Sequence, residues 1–192
     1  MSTWDRYIKD FVSFLKIEKG LAENSVFAYQ NDVNKLREFS DDKKIGPTEV
    51  SFEHLKEFVA TLYEIGLSAR TQARIISGIK QFFIFLLVED ILIDDPSELL
   101  EMPRIGRKLP EILSIEEIDQ LISAVDMSKN EGHRNRAIIE TLYSCGLRVS
   151  ELVNLRFSDL FFEEGFIRVI GKGNKERLVP VSKSVEKEID FY

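Results

Sequence analysis

The sequence predicts a mostly α-helical protein that carries one small antiparallel β-sheet in its second half. Three observations lead there. Apolar residues recur at three- and four-residue spacings, separated by polar caps, through most of the chain. That period gives way to short runs between glycine-containing turns only after Leu160. With 192 residues, 44% of them hydrophobic, the chain can bury the core of one ordinary domain or two small ones.

The first hundred residues read as four helices. Thr3 is placed to cap the first, in which Ile8, Phe11, Val12 and Leu15 share a face, and Gly20 ends it. Asn24 or Ser25 opens a second, with Val26, Tyr29, Val33 and Leu36 inward. After a loop carrying Gly46-Pro47, Ser51 starts a third with Leu55, Phe58, Val59 and Leu62 inward, stopped at Gly66. Ser68 caps a fourth that runs towards Val88. Asp94-Asp95-Pro96 breaks the pattern, because a residue before proline disfavours helix. A short helix or turn follows, and a linker over residues 104–110 separates a first domain (1–103) from a second (111–192).

In the second domain, Ser114-x-x-Glu117 is a capping box that opens a helix with Ile118, Leu121, Ile122 and Val125 inward. A polar loop, 128–132, leads to a helix through Ile138, Ile139 and Leu142 that ends at Cys145-Gly146. A third starts around Leu147-Arg148 and carries Leu152 and Val153. Strands are predicted at Phe161-Phe162, at 166–170 and at 177–181, with turns at Glu163-Glu164-Gly165 and Gly171-Lys172-Gly173-Asn174. Ser182 caps a last helix, with Val185 and Ile189 inward.

Composition excludes several function classes. The longest uncharged apolar run, 82–88, is a third of a membrane span, so no membrane insertion is expected, and the start of the chain has no apolar signal segment. The single cysteine, Cys145, excludes an internal disulfide framework and fits a reducing cytoplasm, the expected location. One Cys and two distant His argue against a Cys/His zinc site. The net charge of −7 argues at first against a polyanionic partner, but its distribution is uneven: −6 over 1–103 and −1 over 104–192. From 65 to 88 the only charges are Arg70, Arg74 and Lys80; from 102 to 110 they are Arg104, Arg107 and Lys108. Between Arg168 and Arg177 four bases stand against one acid, Glu176.

The fourth helix is the informative one. At 100° per residue Ile75, Ile76, Ile79, Phe82, Phe83 and Leu86 form an apolar face, with Arg70, Arg74, Ser77 and Gln81 opposite and Lys80, Ala73 and Gly78 flanking them. An acid-free face with two arginines and short hydroxyls suits a helix against a phosphate backbone, where Arg and Gln also reach base edges. A solvated helix face has the same composition.

In the second domain, Arg148 lies in the first turn of its helix, where a cation opposes the helix dipole unless an anion binds nearby. Glu151, three residues on, shares its face and can hold it, and a plain surface ion pair reads the same way. Lys172, exposed at a glycine-flanked hairpin tip, suits a proton donor or phosphate contact, as well as an ordinary hairpin lysine. The segment is not a nucleotide P-loop, which needs a longer glycine loop, Lys-Ser/Thr and a following helix.

Together the two segments are specific. Leu142-Tyr-Ser-Cys-Gly-Leu-Arg-Val-Ser-Glu-Leu-Val-Asn-Leu155, followed by Val169-Ile-Gly-Lys-Gly-Asn-Lys-Glu-Arg-Leu-Val-Pro-Val181, closely resembles the tyrosine recombinase (phage-integrase-like) family, above all its bacterial Xer branch. Ala22-Glu-Asn-Ser-Val-Phe-Ala-Tyr29 with Asp32, Ser68-Ala-Arg-Thr-Gln-Ala-Arg74 before Phe82-Phe83, and the Leu109-Pro110…Leu113-Ser114 junction agree with it.

The resemblance implies a helical SAM-like core-binding domain, whose second and fourth helices face the DNA major groove, and the start of an α+β catalytic domain. DNA contacts are then expected from Asn24, Ser25 and Tyr29 and from Arg70, Thr71, Arg74, Ser77 and Lys80. By motif position Arg148 corresponds to the first catalytic arginine, which stabilises charge on the scissile phosphate, with Glu151 supporting it. Lys172 corresponds to the hairpin lysine that protonates the leaving 5′ oxygen. A tyrosine attacks the phosphate, giving a 3′-phosphotyrosyl link that conserves the bond energy, so neither a metal nor a nucleotide cofactor is implied. The implied partners are double-stranded DNA, a second copy or a paired Xer recombinase in a tetrameric synapse, and a septal DNA translocase.

The family's His-x-x-Arg pair, a further His or Trp and the nucleophilic tyrosine belong after the hairpin. His133-Arg134-Asn135-Arg136 fits His-x-x-Arg formally but precedes the Arg148 motif, and Tyr192 follows the hairpin too closely to be the nucleophile. His54 reads as a surface residue and Cys145 as a small buried one. These 192 residues are therefore expected to bind DNA without cleaving it, with Ile138, Leu142 and the sheet poorly covered. The resemblance implies chromosome-dimer resolution, with mobile-element integration as the alternative. A protein-interaction module and an RNA-binding helical domain are the rivals from other classes.

Overall fold

A computed structural model describes residues 3–106 and 109–192; Arg107 and Lys108 of the expected basic linker lie outside the described residues. The chain divides into two compact units, Met1–Lys108 and Leu109–Tyr192.

Unit 1 is all helical: α1 (Thr3–Ile17), α2 (Glu23–Asp42), α3 (Phe52–Glu64) and α4 (Ala69–Val88). Glycines at φ +58° and +77°, Gly20 and Gly66, follow α1 and α3, as helix ends that exit through the left-handed region require. The core is aromatic. Phe11, Phe82, Phe83 and Phe85 are buried, with Phe82 edge-on to Phe11 at 5.4 Å and stacked beside Trp4 at 5.9 Å. Trp4 and Phe14 join this core although the helical spacing of α1 did not single them out. The Trp4 indole N–H donates to the Ile45 carbonyl at 3.0 Å, so its one polar group is satisfied on burial. Among the described helices α4 is the one long and apolar enough, by length and composition, to cross a membrane, and half of that stretch is buried in this core. The uncharged-run criterion missed it because Arg70, Arg74 and Lys80 interrupt the helix.

Two expectations for unit 1 are corrected. α2 begins at Glu23, with Ala22 as its N-cap and no side-chain cap, rather than at Asn24 or Ser25. His54 is half-buried and functions as a cap: its Nδ1 accepts the Ser51 N–H at 3.2 Å while Ser51 Oγ accepts the His54 N–H.

Unit 2 contains α5 (Ile115–Ser123), α6 (Gly132–Cys145), α7 (Val149–Val153), β1 (Leu160–Phe161), β2 (Phe166–Ile170), β3 (Glu176–Pro180) and α8 (Lys183–Asp190). The strands form an antiparallel sheet in the order β1-β2-β3, with Leu160 opposite Ile167 and Val169 opposite Arg177. Pro180, which cannot donate to a ladder, sits on the edge strand. The first and third strands each begin one residue earlier than predicted; for the first, Phe162 is drawn into the turn, its carbonyl accepting the Gly165 N–H. The Ser114–Glu117 capping box forms as predicted. α5, however, is short and buries only Ile118; Leu121, expected inward, is 47% exposed.

The core of unit 2 is small: Cys145, Leu147, Ile167, Val169 and Val185, with Leu142, Leu152, Val179 and Ile189 packed on it. The inner face of the sheet, Ile167 and Val169, is thus covered, contrary to expectation, whereas Leu142 is half-buried and Ile138 is 37% exposed. Ile138 lines an apolar groove of about 420 Å³ together with Leu152, Val153, Leu155, Phe157 and Leu160. Cys145 is buried, and desolvation pushes its thiol up from the ordinary value, which leaves it inert.

Candidate functional site

In unit 1 the predicted contact residues converge from two helices. α2 and α4 cross at Gly78, which has no room for a side chain: a Cβ there would lie 2.9 Å from Asp32 Cβ and Oδ2 and 3.2 Å from the Tyr29 ring. Directly above the crossing, Arg74 Nη1 donates to both carboxylate oxygens of fully buried Asp32, at 2.7 and 2.6 Å. Burial pushes the Asp32 carboxyl up from its usual value, and the Arg74 guanidinium opposes that shift. Beside the pair a groove of about 260 Å³ is lined by Ser25, Ala28, Tyr29, Asp32, Arg74 and Ser77. Four of the expected contacts therefore share one concave surface.

The others are placed differently. Arg70 is exposed on the first turn of α4 and has no ion pair or hydrogen bond among the described residues; Asn24 is exposed in the first turn of α2. Thr71 is half-buried and belongs to the α4 cap, its N–H donated to Ser68 Oγ and its hydroxyl 3.0 Å from the same atom. Lys80 donates to the Glu98 carbonyl at 3.1 Å, so it ties the segment after α4 to the helix. The uniform basic face expected for α4 is corrected accordingly: one arginine is free, one is paired to a buried acid, and the lysine is engaged with backbone.

In unit 2 the candidate site is built around Glu151. Arg148 is the N-cap of α7, with extended dihedrals (φ −75°, ψ 151°), rather than a residue of its first turn. Its backbone N–H donates to Glu151 Oε2 and its Nη1 to Oε1, both at 2.8 Å. From β3, Arg177 adds a two-pronged contact, Nη1 to Oε1 and Nη2 to Oε2, again at 2.8 Å. Four donors on a buried carboxylate, those of Arg177 foremost, hold its pKa far below the usual range. The plain surface ion pair is excluded, because the Glu151 side chain is 3% exposed while that of Arg148 is 70% exposed. The buried acid is the support, and the arginine is what it presents.

The lysine hairpin reaches the same place. Gly171 packs on the pair: a Cβ there would lie 3.2 Å from Glu151 Oε1 and 3.3 Å from Arg177 Nη1. Its N–H donates to the Lys175 carbonyl at 2.8 Å, closing a turn in which Gly173 and Asn174 take φ of +73° and +58°. Lys172 is exposed at the tip, with no partner among the described residues. Arg148 and Arg177 thus meet on one carboxylate, and the hairpin that carries Lys172 packs on it through Gly171, an arrangement suited to receiving an anion at the held guanidinium beside an exposed ammonium.

Arg177 and Gly171 are functional neighbours that the sequence reasoning missed. A signal existed: Arg177 alternates with Val179 on the core-facing side of β3, and a core-facing arginine needs a buried acid. Asp159 and Arg168 repeat the device nearby, with bonds of 3.0 and 2.7 Å, so Arg168 is not a free base either. Among the described residues there is no cluster of three or more His, Cys, Asp or Glu that could hold a metal ion.

Comparison with known proteins identifies the family. Residues 8–90 match the phage integrase N-terminal SAM-like domain and residues 111–190 match the phage integrase family domain. The chain belongs to the phage integrase family of tyrosine recombinases. It is 39% identical over 186 residues to tyrosine recombinase XerD of Staphylococcus haemolyticus (strain JCSC1435), covering 96% of this chain and 63% of that protein. XerD of Staphylococcus saprophyticus is 36% identical over 189 residues, covering 98% and 64%. The chain therefore spans somewhat less than two thirds of the length of these relatives.

In fold it is similar to a lambda integrase dimer bound to a COC′ core site (TM-score 0.76, 17% identity, 98% of this chain and 67% of that one). It is also similar to XerH site-specific recombinase bound to palindromic difH (TM-score 0.69, 22% identity, 98% and 67%). The expected architecture, a SAM-like helical domain and the start of an α+β catalytic domain, is the one observed.

Proposed function

We propose that this chain binds duplex DNA and supplies the DNA-holding domain and the first part of the catalytic domain of a site-specific tyrosine recombinase of the Xer type. The observation that carries the reading is the meeting of two distant segments on Glu151: the α7 start holding Arg148, and the glycine hairpin holding Lys172. Arg148 stabilises negative charge on the phosphodiester as the nucleophilic tyrosine oxygen attacks phosphorus. The P–O5′ bond breaks, Lys172 delivers a proton to the departing 5′ oxygen, and the phosphate stays as a 3′-phosphotyrosyl ester. Ser25, Tyr29, Arg70, Arg74 and Ser77 meet the duplex.

The 192 residues by themselves hold DNA without cutting it, since no His or Arg follows Arg177 and Tyr192 lies outside the family's tyrosine motif. The role we propose is chromosome-dimer resolution in the cytoplasm, with mobile-element integration as the alternative; the similarity to proteins named tyrosine recombinase XerD supports the site-specific recombination on which both rest. A second copy or a paired recombinase completes a tetrameric synapse, with a septal translocase as a further partner.

Titrating a labelled duplex at several salt concentrations tests binding. A steep fall of affinity with salt is expected, lost on charge reversal at Arg70 and Arg74 and nearly unchanged in Lys172→Ala. Salt-independent binding, or a covalent adduct trapped on a nicked suicide substrate by these 192 residues, refutes the corresponding half of the proposal.

A further inference from the structure

The two arginines of the α4 face are in opposite electrostatic states, and the difference has chemical content. Arg70 is exposed and without a partner among the described residues. Arg74 is neutralised at close range by a carboxylate that cannot leave, since Asp32 is 0% exposed and packed against Gly78. A phosphate gains little from a guanidinium already balanced by a carboxylate at 2.6–2.7 Å.

The geometry of the pair decides what Arg74 has left to offer. Both contacts to Asp32 come from Nη1 alone. Nη2 and Nε have no partner among the described residues, and the side chain is 47% exposed. Nε–H and Nη2–H form a fork of parallel donors, the shape that fits the O6 and N7 acceptors of guanine in a major groove. Anchoring at Nη1 restricts the guanidinium before DNA arrives, which reduces the ordering cost of a directional contact. The groove beside it, flanked by the Ser25 and Ser77 hydroxyls and the Tyr29 ring, leaves room for a base edge.

We propose that Asp32 is a positioning residue that turns Arg74 into a guanine reader, while Arg70 supplies the charge that meets the phosphate backbone. This rests on the DNA-binding reading above and assigns the division of labour within it. Sequence preference and electrostatic attraction then reside on different arginines of one helix, one turn apart.

The test uses the whole chain, a pool of 30-bp duplexes of random sequence for selection, and fluorescence anisotropy on the selected duplex and single-pair variants of it. A G·C pair is expected to be preferred at one position by about 10- to 100-fold. The double variant Asp32→Asn/Arg74→Gln replaces a neutral pair by a neutral pair, so it erases that preference and leaves the salt dependence as it was. Asp32→Asn alone unmasks a positive charge: affinity for random duplex rises, the salt slope steepens by about one unit, and the G·C preference falls. Arg70→Ala flattens the slope by about one unit with the preference intact.

A merely structural pair would lower affinity for every duplex alike, and that result overturns the proposal, as does an intact G·C preference in the double variant. Trp4 fluorescence reports whether each variant is folded; if Asp32→Asn is not, the double variant and Arg70→Ala decide. Absence of binding by the unaltered chain to any duplex overturns the DNA-binding reading itself, whereas binding with no guanine dependence on Arg74 overturns only this assignment.

Discussion

Replacing Gly78 by alanine separates local propensity from tertiary packing, because the two predict opposite signs. Within a helix, Gly→Ala stabilises by about 1 kcal/mol through backbone entropy and propensity. Here the added methyl would sit 2.9 Å from Asp32 Cβ and Oδ2 and 3.2 Å from the Tyr29 ring. Asp32 cannot move aside without breaking its bonds to Arg74 at 2.6–2.7 Å. Relief therefore requires α2 and α4 to separate, and overpacking of this kind costs up to about 3 kcal/mol. Subtracting the propensity gain leaves a net loss of up to about 2 kcal/mol.

The assay is urea unfolding of the full chain followed by the emission of Trp4, the one tryptophan, which is 3% exposed in the unit 1 core and so reports that unit alone. With a slope of about 1–2 kcal/mol per molar urea, a loss of about 2 kcal/mol lowers the midpoint by about 1–2 M, and a smaller loss lowers it in proportion. A midpoint that rises would show that the α2–α4 crossing is looser than its geometry and would refute the reasoning.

Three further predictions follow from the same geometry. Phe82→Ala empties the centre of the aromatic cluster that contains Trp4 and Phe11, and the same urea assay should show a loss of about 3–5 kcal/mol. Gly132→Ala drives a methyl to 2.6 Å from the Asp126 carbonyl oxygen, a backbone atom that cannot step aside, so amide exchange in the first turn of α6 should accelerate; unchanged protection would contradict the contact. Acid should act on the two buried carboxylates in opposite directions. Glu151 is held below its unfolded pKa, so its stabilisation of unit 2 is complete above the unfolded value of about 4.3 and is lost as pH falls towards the folded one. Asp32 is raised above its unfolded pKa, so its contribution becomes more favourable as pH falls through that raised value. Comparing the chain with Glu151→Gln by hydrogen exchange in unit 2, and with Asp32→Asn by Trp4 emission, isolates each; matching pH slopes in chain and variant would remove the effect.

The sequence by itself determined the helices, the hairpins and the pairing of Arg148 with Glu151, because each is a matter of neighbours within a few residues. Ser51, Ser68, Ser114 and Ser182 cap helices where their spacing to the next apolar run requires it. Local patterning also led to the family, through motifs that are contiguous in the chain.

What it could not supply were contacts between residues far apart in the chain. Asp32 and Arg74 are 42 positions apart and Glu151 and Arg177 are 26, and neither helical nor strand periodicity carries information over such separations. Only the crossing of α2 on α4 at Gly78, and the return of β3 beside α7, brought those charges together. That is why one arginine of an apparently uniform basic face proved to be paired, and why a surface ion pair proved to be a buried carboxylate with two guanidinium partners. Burial decides the chemistry of a charge, and burial is a property of the packed chain rather than of any segment of it.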